Sequence, residues 1–129
     1  MLVPEYFQDT ELVCHCGCGM LPDRKSVEML YAVRILVHHP LPVSSAARCK
    51  AYNRSVGGKS GSIHLPECDR RGDSSGWGGA AFDIVADADL QAQIYAVALK
   101  VGFRGFGFAL NYIHIDCANR PQIAVWRYT

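Results

Sequence analysis

The chain has 129 residues, 50% of them hydrophobic and 19% charged, which is the composition of one globular domain and excludes a disordered tail or a coiled coil. Its formal charge is +1, from 13 Lys+Arg against 12 Asp+Glu, so no basic excess exists to neutralise a phosphate backbone and nucleic acid is not an expected partner. No apolar run approaches the ~20 residues of a membrane helix, and Met1-Leu2-Val3-Pro4-Glu5-Tyr6 lacks the basic and apolar regions of a secretory signal.

A single domain, 1–129, is expected, with no repeat or linker dividing it. Residues 1–22 are a Cys-rich N-terminal segment, irregular from residue 5 and ending at Pro22. Three of the six cysteines crowd into Cys14-His15-Cys16-Gly17-Cys18; the others are Cys49, Cys68 and Cys117. The one-residue step is tighter than the usual zinc spacing. A second metal, a disulfide or a set of reduced thiols drawing on Cys14, Cys16, Cys18, Cys49 and Cys68 all remain open.

A helix is expected from Asp23 to His38. Val27, Leu30, Val33 and Val37 recur on one face, Asp23 is the N-cap, and Pro40 and Pro42 follow the end. His38 and His39 complement the dipole at its C-terminus. Leu41–Ser45 reads as a short strand, and 46–62 as an irregular, partly helical segment closing in Gly57-Gly58-Lys59-Ser60-Gly61. Residues 65–79 form a long polar, Gly-rich loop carrying Trp77, an aromatic placed to act as a substrate lid. Ala80–Val85 reads as a strand. A helix follows over Ala88–Val101, capped by Asp87 or Asp89 and stopped by Gly102. Phe106–Phe108, Tyr112–Asp116 and Ile123–Tyr128 read as strands. The expectation is an α+β fold, a small antiparallel sheet with flanking helices, with Phe103, Phe106, Phe108, Trp126 and Tyr128 in its core.

Chemistry is carried by polar residues inside apolar strands. Asp83 interrupts Ala81-Phe82-Asp83-Ile84-Val85, and His114 and Asp116 alternate with Ile113 and Ile115, so both point to one face. A buried carboxylate or imidazole is costly unless paired or metal-bound. With His64 after its glycine-rich turn, two His and one Asp make a three-ligand set with an open fourth position, the form of a catalytic zinc site.

Ser62-x-His64, Gly79-Ala80-Ala81-Phe82-Asp83-Ile84, His114-x-Asp116 and Trp126-Arg127-Tyr128, in that order, resemble the zinc D-Ala-D-Ala metallopeptidases of the lysostaphin/D-Ala-D-Ala/hedgehog group, the short phage-type peptidases above all. Ser44-Ser45-Ala46-Ala47-Arg48 with Asn53 and Val56-Gly57-Gly58, and the sixteen-residue step from Arg48 to His64, are similar to the segment bearing that family's substrate-binding arginine. The resemblance spans roughly residues 41–128. It implies a hedgehog/D-Ala-D-Ala peptidase-like fold, with zinc on His64, Asp83 and His114. It also implies Arg48 on a substrate carboxylate or oxyanion; Ser62, within the His64 motif, and Trp77, from its position on the loop, are further candidates for substrate contact.

Two departures stand out. The family places its first His and its Asp closer together, whereas eighteen residues intervene here between His64 and Asp83. Asp73 in that interval is a rival ligand; Asp83 is preferred because a strand fixes a ligand more firmly than a Gly/Ser loop. Many relatives carry an acidic residue three positions before the last His, where this chain has Asn111, whose amide accepts no proton at neutral pH. Asp116 is then the candidate general base, or else a positioning residue for the metal site.

The implied activity is zinc-dependent hydrolysis of peptidoglycan stem peptides, by a D,D-carboxypeptidase or endopeptidase of an endolysin type. The alternative is an inactive hedgehog-like module that binds zinc and a cell-wall peptide or protein partner. The expected protein is a monomer without membrane insertion, made in the cytoplasm and acting on the wall after phage- or prophage-type release.

Overall fold

Asp23 and Asp87 start the two long helices. The computed structural model, which describes residues 6–48, 50–58, 62, 64, 81–118 and 120–128, places helix α1 at Asp9–Leu12, α2 at Arg24–Val37, α3 at Lys50–Ser55 and α4 at Ala88–Val101. The strands are β1 at Val43–Ser45, β2 at Ala81–Val85, β3 at Gly105–Phe108, β4 at Tyr112–Asp116 and β5 at Ala124–Arg127. The Asp23 carboxylate accepts from Ser26 N at 3.2 Å, and that of Asp87 accepts from Leu90 N at 2.9 Å. Each satisfies a backbone donor that the first turn leaves without a helical partner. Of the two candidate caps for α4, Asp87 is therefore the cap, and Asp89 sits in the first turn. His38 ends α2 in the left-handed conformation, φ 59°, which His tolerates better than most residues.

The five strands form one sheet in the order β1-β2-β4-β3-β5. The first three pairings are antiparallel and the last, β3 with β5, is parallel. The α+β reading stands, with a mixed rather than wholly antiparallel sheet. The parallel pair arises because β5, which follows β4 in the chain, lies beside β3 rather than beside β4.

Alternation within the strands divides the sheet into two unlike faces. Phe82, Ile84, Phe106, Ile113 and Ile115 join one core with Leu30 and Val33 of α2 and Ile94 and Ala98 of α4. Burying each large apolar side chain contributes ~1.5–3 kcal/mol, so this face anchors the fold. Asp83, His114, Asp116, Gly105 and Gly107 lie on the other face. The N-terminal segment, expected to be irregular, contains the short α1 and tucks Phe7 and Leu12 into the core. Its Glu11 carboxylate accepts from Val43 N at 3.0 Å on the edge strand β1.

Not every expected core aromatic is buried. Phe103 and Phe106 are, and Phe108 is half-buried, but Tyr128 is 41% exposed because it follows the edge strand β5. Trp126 leaves the core for the polar face. Ser26, fully buried on α2, contacts Cys117 Sγ at 2.9 Å, and burial pushes the Cys117 thiol up. Among the described residues, no helix is long and apolar enough to cross a membrane.

Candidate metal centre

Register brings the polar residues into one row across the sheet. Ser45 pairs with Asp83, Asp83 with His114, His114 with Gly107, and Gly107 with Trp126. Neighbouring strands lie ~4.8 Å apart, so Asp83 and His114 reach one another without distortion. His64 arrives from outside the sheet, in a turn where its backbone N–H donates to Ser62 Oγ at 3.2 Å. His64 O accepts from Arg48 N at 2.9 Å.

Each histidine has one nitrogen held by the protein and the other turned toward Asp83. His64 Nδ1 lies 2.6 Å from Ala46 O. A carbonyl only accepts, so Nδ1 carries the proton and Nε2 faces Asp83 Oδ2 at 3.3 Å. His114 Nε2 lies 2.8 Å from Asp116 Oδ2, and its Nδ1 lies 3.1 Å from Asp83 Oδ1. The candidate ligand atoms of His64, Asp83 and His114 all fall within 4.8 Å of one another. His64 and His114 are 4% and 6% exposed. Two imidazole nitrogens and a carboxylate oxygen fit zinc, which takes His N and Asp O at ~2.0–2.2 Å. With a proton on His64 Nδ1 held by Ala46 O and one on His114 Nε2 held by Asp116, a cation between them would meet a lone pair on each facing nitrogen.

Without a cation, protons fill the same role. Burial opposes charging His114, but the hydrogen bonds from Asp116 and Asp83 outweigh it and raise its pKa above 6.5. For Asp83, burial alone would raise the pKa, yet the contacts with His114 and His64 hold it well below the usual carboxylate range. In the metal-free protein the two carboxylates therefore favour the charged form of His114 over a free imidazole.

Asp116 is 0% exposed, and four donors converge on its carboxylate. His114 Nε2 and Arg120 Nη2 reach Oδ2, each at 2.8 Å, while Arg120 Nε reaches Oδ1 at 3.0 Å and Ala118 N at 3.3 Å. Burial would raise its pKa, but His114 and Arg120 bring it to about 2. A Cβ on Gly105 would collide with this carboxylate, so only glycine leaves space for it. Gly107 does the same for Trp126, whose ring lies 5.3 Å from the His114 ring and 5.4 Å from the Arg120 guanidinium carbon. Sequence reasoning missed Arg120. The signal for it was a buried carboxylate on β4 that had to find a cation.

Arg48 sits beside the centre. Its Nε donates to Ser45 Oγ at 3.3 Å and its Nη1 to Asn53 Oδ1 at 3.2 Å. Burial and the Asp83 charge raise the pKa of Tyr112 while Arg48 opposes them. Asn111 is exposed in the turn before β4 and is used through its carbonyl, which accepts from Ala86 N at 3.0 Å. Cys14, Cys16 and Cys18 come together elsewhere. Trp77, Asp73, Cys49, Cys68 and the 65–79 loop lie outside the described residues.

A family model described as Peptidase M15 matches residues 5–116. No match to the chain is found among curated proteins or solved structures.

Proposed function

This chain belongs to the Peptidase M15 family, whose members are zinc-dependent metallopeptidases, and from that premise we propose that it is a zinc peptidase that hydrolyses peptidoglycan stem peptides, as a D,D-carboxypeptidase or an endopeptidase. The observation that carries this reading is the pair of histidines, each with one nitrogen tied to the protein and the other aimed at Asp83. Zinc held by His64, Asp83 and His114 would supply a Lewis acid for the scissile carbonyl and acidity for water.

The chain's own residues do the rest. Asp116 fixes the His114 ring and its tautomer, and Arg120 fixes Asp116. With both oxygens occupied by four donors, Asp116 is read as a positioning residue rather than the general base. Arg48, steadied by Ser45 and Asn53, offers a forked cation to a substrate carboxylate or a developing oxyanion. Ser62 holds the turn that presents His64, and Trp126 covers one side of His114. The setting that accompanies this reading is a monomeric lysis enzyme of phage or prophage type, acting on the wall after release.

One observation favours a second reading. Among the described residues, the carboxylates touching the two histidines are Asp83, a ligand, and Asp116, already engaged. A hedgehog-like module that binds zinc without turnover fits that arrangement. Mass spectrometry of purified peptidoglycan after incubation with the zinc-loaded protein separates the two. Shortened stem peptides, lost with chelator and restored by zinc, establish the peptidase; bound zinc with intact peptides establishes the module.

A further inference from the structure

Residues 13–20 contain no regular helix or strand, yet they hold a defined turn. Gly17 and Gly19 take φ values of 89° and 84°, which L side chains rarely adopt. The chain reverses there, so that Cys14 N donates to Met20 O at 2.8 Å and Gly17 N to Cys14 O at 3.4 Å. This reversal gathers three sulfurs that an extended chain would scatter. The Sγ atoms of Cys14, Cys16 and Cys18 all lie within 4.8 Å of one another, with those of Cys14 and Cys16 3.5 Å apart.

We propose that this turn is a second metal site, a thiolate site for zinc separate from the His64–Asp83–His114 centre. Zn–S bonds of ~2.3 Å at a tetrahedral ion put neighbouring sulfurs about 3.8 Å apart; the Cys14 and Cys16 sulfurs are 3.5 Å apart, and all three lie within 4.8 Å of one another. Three thiolates are soft donors, which select thiophilic ions over magnesium or calcium. Cys14 is buried and Cys16 and Cys18 are exposed, so the site has a floor in the protein and a mouth open to incoming metal.

Position explains what such a site does. Leu12 O accepts from Ala47 N at 3.4 Å, and the His15 ring lies 6.0 Å from the Tyr52 ring of α3. The turn therefore abuts the stretch that leads from β1 through Arg48 into α3. Metal binding would replace absent secondary structure as the source of order there, because ligation free energy is folding free energy. The site would hold the N-terminal segment against the edge of the sheet and steady the backbone that carries Arg48.

Cobalt(II) substitution of the full-length protein tests this. Cobalt bound to thiolates gives a sulfur-to-metal charge-transfer band in the near ultraviolet, and cobalt on two His and one Asp gives none. The expected result is two metal ions per chain, with the band present. The band should persist in His114→Ala. The double variant Cys16→Ser/Cys18→Ser should lose the band and one of the two ions, and melt at a lower temperature. A single ion per chain without the band overturns the proposal, as does a disulfide among these cysteines in the metal-loaded protein. If the double variant fails to fold, the wild-type spectrum and stoichiometry decide alone. The outcome is independent of peptidase activity.

Discussion

Replacing Asp116 by Asn changes one atom in a place where every contact is a donor. His114 Nε2 and Arg120 Nη2 point at Oδ2, and Arg120 Nε and Ala118 N point at Oδ1. The amide group of Asn must occupy one of these two positions, and in either one it confronts two donors. Each buried or half-buried donor left unsatisfied costs ~1–3 kcal/mol, one where the amide faces His114 and the ring tautomer switches, two where it faces Arg120 Nε and Ala118 N. Where the amide faces His114, it donates to Nε2 and drives the ring proton to Nδ1, the nitrogen aimed at Asp83. The metal would then have to displace that proton, and loss of such a supporting partner typically weakens binding ~10–100-fold. The assay is zinc competition against a chromophoric chelator, alongside thermal melts of the metal-free protein. Asp116→Asn should bind zinc ~10–100-fold more weakly, melt lower, and regain activity in excess zinc. Unchanged zinc affinity with a ~100-fold fall in kcat would refute this reasoning and make Asp116 the base.

Further outcomes follow from the same geometry. Arg48→Ala should retain zinc while kcat/KM falls ~100–1000-fold, the usual effect of losing a positioned oxyanion donor; Arg48→Lys should recover little of this, since an ammonium lacks the fork. Gly105→Ala should lower both zinc affinity and melting temperature, because its Cβ displaces the Asp116 carboxylate; equilibrium dialysis and a melt with wild-type values would contradict this. Zinc affinity should rise with pH through the raised pKa of His114, with proton release visible in calorimetry, because metal and proton compete for that ring. In the metal-free protein, Asp83 and Asp116, depressed from 3.8, contribute stability that is lost as pH falls through their folded values. His114, raised from 6.5, contributes stability that is lost as pH rises through its folded value. Urea unfolding of the metal-free protein across pH should therefore show greatest stability between about pH 4 and 6.5.

Much of this was legible in the chain because periodicity and caps act locally. The helix at Ala88–Val101 and the strand at Tyr112–Asp116 match their expected bounds, since an apolar face and a regular alternation each admit one periodicity. The common face of His114 and Asp116 follows from strand pleating alone. Long-range pairing was less accessible. That β5 would lie parallel to β3, carrying Trp126 past Gly107 onto His114, depends on which strand β5 pairs with, which no local pattern encodes. Arg120 was hidden for a related reason. It lies beyond the strand in an irregular stretch, and its role exists only once Asp116 is known to be fully buried. The positioning role proposed for Asp116 likewise rests on donors from three separate residues, which no local pattern shows.

The most direct measurement is an anomalous-difference map at the zinc absorption edge from a crystal of the zinc-loaded protein. A peak bonded to His64 Nε2, an Asp83 carboxylate oxygen and His114 Nδ1 at ~2.0–2.2 Å is the predicted result. A zinc-replete crystal with no peak between these three residues, or with zinc bonded through His114 Nε2 in place of Asp116, would contradict the account.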